Sequence, residues 1–302
     1  MPEGDTVWLA GRRMHDALAG RTLTRSDFRV PQLATVDLAG RAVLEVVSRG
    51  KHLLTRVEGG ATLHTHFRME GSWHLYRPGA RWQGGPDWQI RAILANADWT
   101  AVGYRLPVVE LLATSDEDQT VGHLGPDLLG EDWNADEAVA RLRSVPERAI
   151  DEALLDQRNL AGIGNLYKIE TLFLAGTSPW TPVRDVRDLP GLVGLAQRLL
   201  ERNKAVPEQP TTGDPRRGHD HWLYGRGGRP CRRCGTPIAV GDQGEPTQER
   251  LTYWCPRCQP GPAPVPAQAD GRYRGSASRG RSGRDGSQRG GRDVGQRNRG
   301  RQ

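Results

Sequence analysis

Apolar positions change their period twice along the chain. Over Thr6 to Leu18 they fall at Val7, Met14, Ala17 and Leu18, a spacing that predicts a short amphipathic helix with Asp5 as its cap. From Thr22 to about Tyr104 the pattern becomes β-branched alternation broken by turns. Ala42 to Val47, His52 to Val57, Ala61 to His66 and Ser72 to Tyr76 read as strands, with Glu58-Gly59-Gly60 as a hairpin turn. These elements predict a β-sandwich with a leading helix. After Gly125-Pro126-Asp127 the period returns to about 3.6, giving helices over Ala135 to Leu142, Glu147 to Leu155, Ile163 to Leu174 and Leu189 to Asn203. The glycines of Leu160-Ala161-Gly162-Ile163-Gly164-Asn165, between two of these helices, permit a tight turn. They would bring the amides of a helix start close to an anion such as phosphate, and they equally suit an ordinary helix connection.

The four cysteines form two pairs, Cys231-Arg232-Arg233-Cys234 and Cys255-Pro256-Arg257-Cys258, separated by 20 residues. That spacing is the one zinc ribbons use, and it favours metal ligation over disulfides. Four thiolates in a tetrahedron leave no open position for water, so the metal expected is one structural Zn2+. Pro237 to Val240 and Leu251 to Trp254 read as a hairpin between the pairs, decorated by Arg232, Arg233, Arg250 and Arg257. Such a basic ribbon suits a DNA backbone, and a protein contact is the alternative.

With 302 residues the chain exceeds one compact unit. The predicted class is a multidomain α+β protein: a β-sandwich over 1–128, a helical domain over 129–215, a zinc finger over 216–258 and a disordered tail over 259–302. The net charge of +6 suggests an anionic partner, but it sits at the end. Residues 259–302 hold ten arginines against three aspartates, which leaves the first 258 residues at −1. The Arg-Gly pairs of the tail would bind phosphates by charge, or would simply solubilise the chain. No apolar run reaches the ~20 residues of a membrane span, and Met1-Pro2-Glu3-Gly4-Asp5 lacks the features of a signal peptide. A cytoplasmic protein follows, with no membrane partner.

Removal of Met1 would expose the secondary amine of Pro2, and an α-amino group titrates near pH ~8. Such an amine can attack C1′ of a deoxyribose and form an iminium, with Glu3 beside it as a general acid. Lys51, one of only three lysines, lies in Ser48-Arg49-Gly50-Lys51-His52 where one strand gives way to the next, and could hold a phosphate or sugar oxygen. Met69 follows His64-Thr65-His66-Phe67-Arg68 at a turn and could wedge into a base stack; a turn methionine also serves a core. His64 and His66 share a strand face without a third ligand at matching spacing, so no second metal site is expected.

In their order along the chain, Met1-Pro2-Glu3-Gly4, Ser48-Arg49-Gly50-Lys51-His52, Gly162-Ile163-Gly164-Asn165-Leu166-Tyr167, Tyr224-Gly225-Arg226 and the four cysteines resemble the formamidopyrimidine-DNA glycosylase/endonuclease VIII family. The resemblance covers residues 1 to about 258 and is strongest to the actinobacterial second endonuclease VIII type. It implies a β-sandwich joined to a helix-two-turn-helix domain and a zinc finger, with DNA in the cleft between them. It also implies Pro2 as nucleophile, Glu3 as general acid, Lys51 as a contact to the lesion sugar and phosphate, and Glu170 as a carboxylate near the reacting sugar. Asn165 and Arg250 are implied as phosphate contacts, and Met69 as a void-filling residue. Two positions depart from the family: Asp5-Thr6 replaces a common Pro-Glu, and the residues that complete the void-filling wedge cannot be matched around Tyr104-Arg105-Leu106.

The function expected is a bifunctional glycosylase and abasic-site lyase of base excision repair. It would be a monomeric bacterial protein at the nucleoid, acting on DNA with oxidised bases, pyrimidines foremost, or abasic sites, without a small-molecule cofactor. The alternative is a non-catalytic binder of damaged, gapped or kinked DNA; an RNA-binding zinc ribbon would explain the tail but not the N-terminus.

Overall fold

Runs of apolar and β-branched residues, several of them buried on both faces, build two antiparallel sheets. The computed structural model describes residues 2–244 and 250–264. One sheet has the order β1-β3-β4-β5-β9, from β1 (Arg21–Thr22), β3 (Ala42–Arg49), β4 (His52–Val57), β5 (Ala61–His66) and β9 (Val108–Ala113). The other has the order β2-β7-β8-β6, from β2 (Arg25–Phe28), β7 (Ile90–Ala95), β8 (Thr100–Tyr104) and β6 (Ser72–Tyr76). Leu53, Leu63, Val43 and Val46 from the first sheet meet Ala92, Leu94 and Ala101 from the second in one core. Helix α1 (Gly4–Leu18) adds Val7, Met14, Ala17 and Leu18 to it. Five strands, β1, β2, β7, β8 and β9, go beyond the four read from the pattern. β7 is buried at nearly every position, so its sequence carries no alternation to read.

The helical part follows a short α2 (Glu117–Val121) and comprises α3 (Ala135–Arg143), α4 (Ile150–Leu155), α5 (Asn165–Leu174) and α6 (Leu189–Asn203). Two helices start later than their periodicity suggests. Residues 146–149 form a turn ending in a bridge from Ala149 to Pro182 instead: the amides of Val183 and Arg184 donate to the carbonyls of Arg148 and Pro146, both at 3.0 Å. The other late start is set by Gly162, at φ +100°, a conformation that a side chain disfavours. α1 starts earlier, at Gly4, so Asp5 lies inside its first turn and is not its cap.

Helix α5 serves two cores. Leu166, Tyr167 and Leu172 join the helical core with Leu154, Leu192 and Leu200. Ile169 and Phe173 instead pack on Leu223, Ile238, Cys231 and Cys255, beside the hairpin of β10 (Ala239–Gln243) and β11 (Arg250–Trp254). Being apolar on two faces, α5 is buried from Asn165 through Phe173. Within it the Lys168 ammonium is fully enclosed, 3.3 Å from Asp151 on α4 and 2.9 Å from the Thr252 hydroxyl on β11. Burial lowers the pKa of Lys168 and pushes the Asp151 carboxyl up to about 6, against the attraction between them.

The folded chain continues past the last cysteine. Gln259 is buried, donates to the Thr177 carbonyl at 2.9 Å and accepts from the Cys255 amide at 2.9 Å, and the Ser178 hydroxyl donates to the Pro262 carbonyl. Gln259 and Pro262 are therefore fastened to the folded part rather than belonging to a disordered tail, and residues 265–302 of that tail lie outside the described residues. Among the described residues no helix is long and apolar enough to cross a membrane.

Replacing Lys168 by Met leaves Asp151 buried without its cation, a loss of about 3–5 kcal/mol in unfolding free energy by urea titration. Lys168→Met combined with Asp151→Leu should recover most of it. A double variant no more stable than the single would show that the pair is not the source of the loss.

Candidate active site

The start of the chain is drawn into the protein by a carboxylate. Glu3 is fully buried and lies at the N-terminus of α5, where its oxygens accept from the amides of Gly164 and Leu166 at 2.7 Å and of Tyr167 at 3.3 Å. The Gly4 amide donates to the Gly162 carbonyl at 2.9 Å. A Cβ on Gly164 would lie 2.5 Å from the Glu3 carboxyl carbon, so only glycine allows this approach. These amides were candidates for a phosphate; the anion they hold is the protein's own. Such a site suits a carboxylate through both hydrogen bonds and the helix dipole.

Burial nevertheless prevails over these bonds. It raises the Glu3 pKa to about 6, while the Lys51 ammonium and the amides pull down and Asp5 pushes up. Asp5 is tied in by a 2.5 Å bond from the Tyr167 hydroxyl and by Gln209, whose side-chain amide lies 2.8 and 3.0 Å from its two oxygens. The residue that departs from the family's Pro-Glu thus anchors α1 to α5 and to the segment after α6.

A cavity of about 480 Å³ opens in front of Pro2 and Glu3. Lys51, Met69, Asn165 and Arg250 line it as well, so six of the seven non-cysteine candidates meet there. Lys51 is carried by a turn in which the Gly50 amide donates to Asp127 at 2.7 Å, while Arg49 pairs with Asp132. Burial lowers the Lys51 pKa to about 8, opposed by Glu3 and assisted by Arg250. Met69 is 61% exposed and follows Arg68, whose φ of 45° is left-handed. Asn165 donates to the Leu251 carbonyl at 2.9 Å, and its buried Oδ1 has no partner.

Glu170 is the candidate the structure places elsewhere. It is fully buried and does not line the cavity; its oxygens accept from the amides of Trp222, Leu223 and Tyr224, each at 2.8 Å, and from the Thr211 hydroxyl. Pointing out of the opposite side of α5, it fastens the segment that leads into the finger. The basic hairpin is also corrected in part. Arg232 turns in to the His221 carbonyl at 3.0 Å, and Arg233 lies over the Phe173 ring at 4.5 Å, while Arg250 faces the cavity.

His66, Arg68, Leu155 and Gln157 line the cavity without having been singled out for it. Gln157 fixes the glycine turn, donating to the carbonyls of Leu155 and Ile163 at 2.9 Å and accepting from the Gly162 amide at 3.0 Å. The strand histidines have a neighbour that spacing alone did not reveal. His52, across the sheet, is 2.9 Å from His64, which is 3.0 Å from Glu110, and its ring meets that of His66 edge-on at 4.8 Å.

Among the described residues, the ligand atoms close enough to share a metal ion are those of Cys231, Cys234, Cys255 and Cys258, all within 4.8 Å of one another. The edge of a zinc–thiolate tetrahedron is roughly 3.8 Å, and the sulfurs of Cys231 and Cys258 are 4.0 Å apart. The donor set fits a metal.

Fold and site together fit a DNA glycosylase with abasic-site lyase chemistry. Residues 1–105 match the formamidopyrimidine-DNA glycosylase N-terminal domain and residues 124–200 its H2TH domain, so the chain belongs to the formamidopyrimidine-DNA glycosylase/endonuclease VIII family of base excision repair. It is 62% identical over 276 residues to a probable endonuclease 8 2 of Streptomyces coelicolor, covering 90% of this chain and 98% of that one. It is 46% identical to the DNA-(apurinic or apyrimidinic site) lyase Nei2 of Mycolicibacterium smegmatis, covering 86% and 99%. The fold matches that of Lactococcus lactis Fpg in complex with abasic-site DNA, with a TM-score of 0.72 at 23% identity over 86% of this chain and 100% of that one.

Glu3 binds its proton more tightly in the folded chain than at its ordinary value of 4.5. Its contribution to stability is therefore fully present below pH 4.5 and is lost as the pH rises through about 6, amounting to about 2 kcal/mol. Glu3→Gln cannot ionise. Its unfolding free energy relative to the unsubstituted protein should rise by about that amount between pH 4.5 and 7, and a difference independent of pH would refute the account.

Proposed function

We propose that this chain removes oxidised bases, pyrimidines foremost, and cuts the strand by β,δ-elimination, with the amine of Pro2 as nucleophile once Met1 is removed. The observation that carries this is the meeting of Pro2, a buried Glu3 with a raised pKa and Lys51 on one cavity. A carboxyl that titrates at about 6 is still partly protonated near neutrality, as a general acid requires.

The Pro2 nitrogen attacks C1′ and the base departs with the electrons of the C1′–N bond. After the nitrogen loses its proton, O4′ takes the ring C–O electrons and a proton from Glu3, which leaves an iminium at C1′. The iminium draws electrons from C2′, which loses a proton, and the 3′ phosphate is expelled. A second elimination expels the 5′ phosphate. Lys51 holds a sugar or phosphate oxygen, Asn165 and Arg250 grip flanking phosphates, and Met69 fills the gap left by the displaced nucleotide. Cys231, Cys234, Cys255 and Cys258 hold one structural Zn2+, which supports the hairpin carrying Arg250. A cytoplasmic place on the nucleoid accords with this substrate.

Borohydride trapping on DNA with an abasic site or an oxidised pyrimidine should attach DNA to Pro2, read by sequencing the adduct peptide. No adduct from zinc-loaded protein lacking Met1 would favour the non-catalytic binder of damaged, gapped or kinked DNA instead.

The active form needs Glu3 protonated and the Pro2 amine neutral. With values of about 6 and ~8 the profile of kcat/KM for base excision should be bell-shaped with a top near pH ~7. In Glu3→Gln excision should fall more than abasic-site cleavage, and the alkaline limb should vanish. An alkaline limb unchanged in that variant would remove Glu3 from the role of acid.

A further inference from the structure

No side chain of Tyr104-Arg105-Leu106 is free to enter DNA. Tyr104 and Leu106 are buried, and Arg105, at a left-handed φ of 49°, is used as a brace. Its backbone amide donates to the Gln89 carbonyl at 2.8 Å. Its guanidinium reaches the Gln89 side chain at 2.5 Å and its Nε the Glu70 carbonyl at 3.2 Å. Arg105 thus ties the Met69 turn to the turn Asp87–Gln89 that precedes β7.

That second turn carries Trp88, a residue 73% exposed whose indole has no hydrogen-bond, ring or cation partner among the described residues. Two further arginines fix its backbone, Arg91 on the Trp88 carbonyl at 2.9 Å and Arg29 on the Asp87 carbonyl at 3.2 Å. The arginines hold the turn's backbone, so the exposed indole is presented from a fixed place, and with two side-chain torsions it has little conformational entropy to lose when it binds.

The strand register fixes where the platform points along the sheet. Ser72 on β6 and Ile90 on β7 both pair with Tyr104 on β8, so the Met69 turn, the Trp88 turn and Arg105 lie at one end of the same sheet. β7 and β6 flank β8, which separates their turns by two strand spacings, roughly 10 Å. That span is about three nucleotide steps of ~3.4 Å. Met69 lies at the cavity, so a strand passing it reaches Trp88 within a few nucleotides.

We propose that Trp88 stacks on an unpaired DNA base a few nucleotides from the one held in the cavity, beyond the gap assigned to Met69. The inference rests on the function proposed above. Indole offers a face to any base, so the contact needs no particular sequence. The contact is available only where a base is free of its partner, so it favours bubbles, forks and single strands over intact duplex.

The test compares the full chain with Trp88→Ala and Trp88→Phe on abasic-site DNA, either fully paired or with a short bubble. A 2-aminopurine is placed two to four nucleotides from the site on either strand. The unsubstituted protein should quench it at one position in the bubble. Trp88→Ala should abolish that quenching and weaken bubble binding on the order of tenfold, with a smaller effect on paired DNA, while Trp88→Phe retains most of both. Equal affinities for Trp88→Ala and the unsubstituted protein overturn the proposal, as does an equal loss on both DNAs without a change in quenching. Failure of the unsubstituted protein to bind or trap abasic-site DNA would overturn the proposed function instead.

Discussion

The site depends on one carboxylate meeting one helix start. Glu3 joins the second residue after the initiator to amides more than 160 positions away, and through them it fixes where Pro2 can be. Burial and hydrogen bonding oppose each other at this group: enclosure alone would neutralise it, and the amides with the helix dipole alone would hold it ionised. Their near balance places it at about 6. A glutamate on the surface could not have this property, and neither could one enclosed without the amides.

Helix α5 is the beam to which the other parts are fastened. Its N-terminus takes Glu3, while Asn165 and Lys168 reach the Leu251 carbonyl and the Thr252 hydroxyl, the two residues that follow Arg250. On its other side Glu170 holds three amides of the segment entering the finger. A carboxylate expected at the sugar is therefore bonded to the segment that leads into the finger. Buried polar groups of this kind must be satisfied to be tolerated, which makes the attachment of the finger specific rather than merely adhesive.

Local physics explains what the sequence made legible. The strands of 52–57 and 61–66 announce themselves because apolar and β-branched runs flank the Glu58-Gly59-Gly60 turn, and the helix of 189–203 because its apolar positions repeat every three to four residues. The cysteine pairs do so because a metal constrains spacing. β7 stayed hidden because burial on both faces removes alternation, and the true start of α4 because residues 146–149 are bonded to residues 182–184. Within the cavity, Pro2, Glu3 and Lys51 carry distinctive chemistry, whereas Gln157 matters for two carbonyls that no sequence motif marks. The bonds among Asp5, Tyr167 and Gln209 span some 200 residues and are legible only in the fold.

The folded part carries almost no net charge, so DNA cannot be held by a general field and must be met by cations placed one by one. Lys51, Arg68 and Arg250 are gathered on the cavity, while Arg105, Arg232 and Arg233 are turned to carbonyls or rings. Lys51 and Arg250 repel each other, which is part of why Lys51 titrates at about 8. An incoming phosphate relieves that repulsion. Binding and protonation are therefore linked at this cavity: the anion favours the charged lysine, and the charged lysine in turn pulls the Glu3 carboxyl down from where burial would leave it.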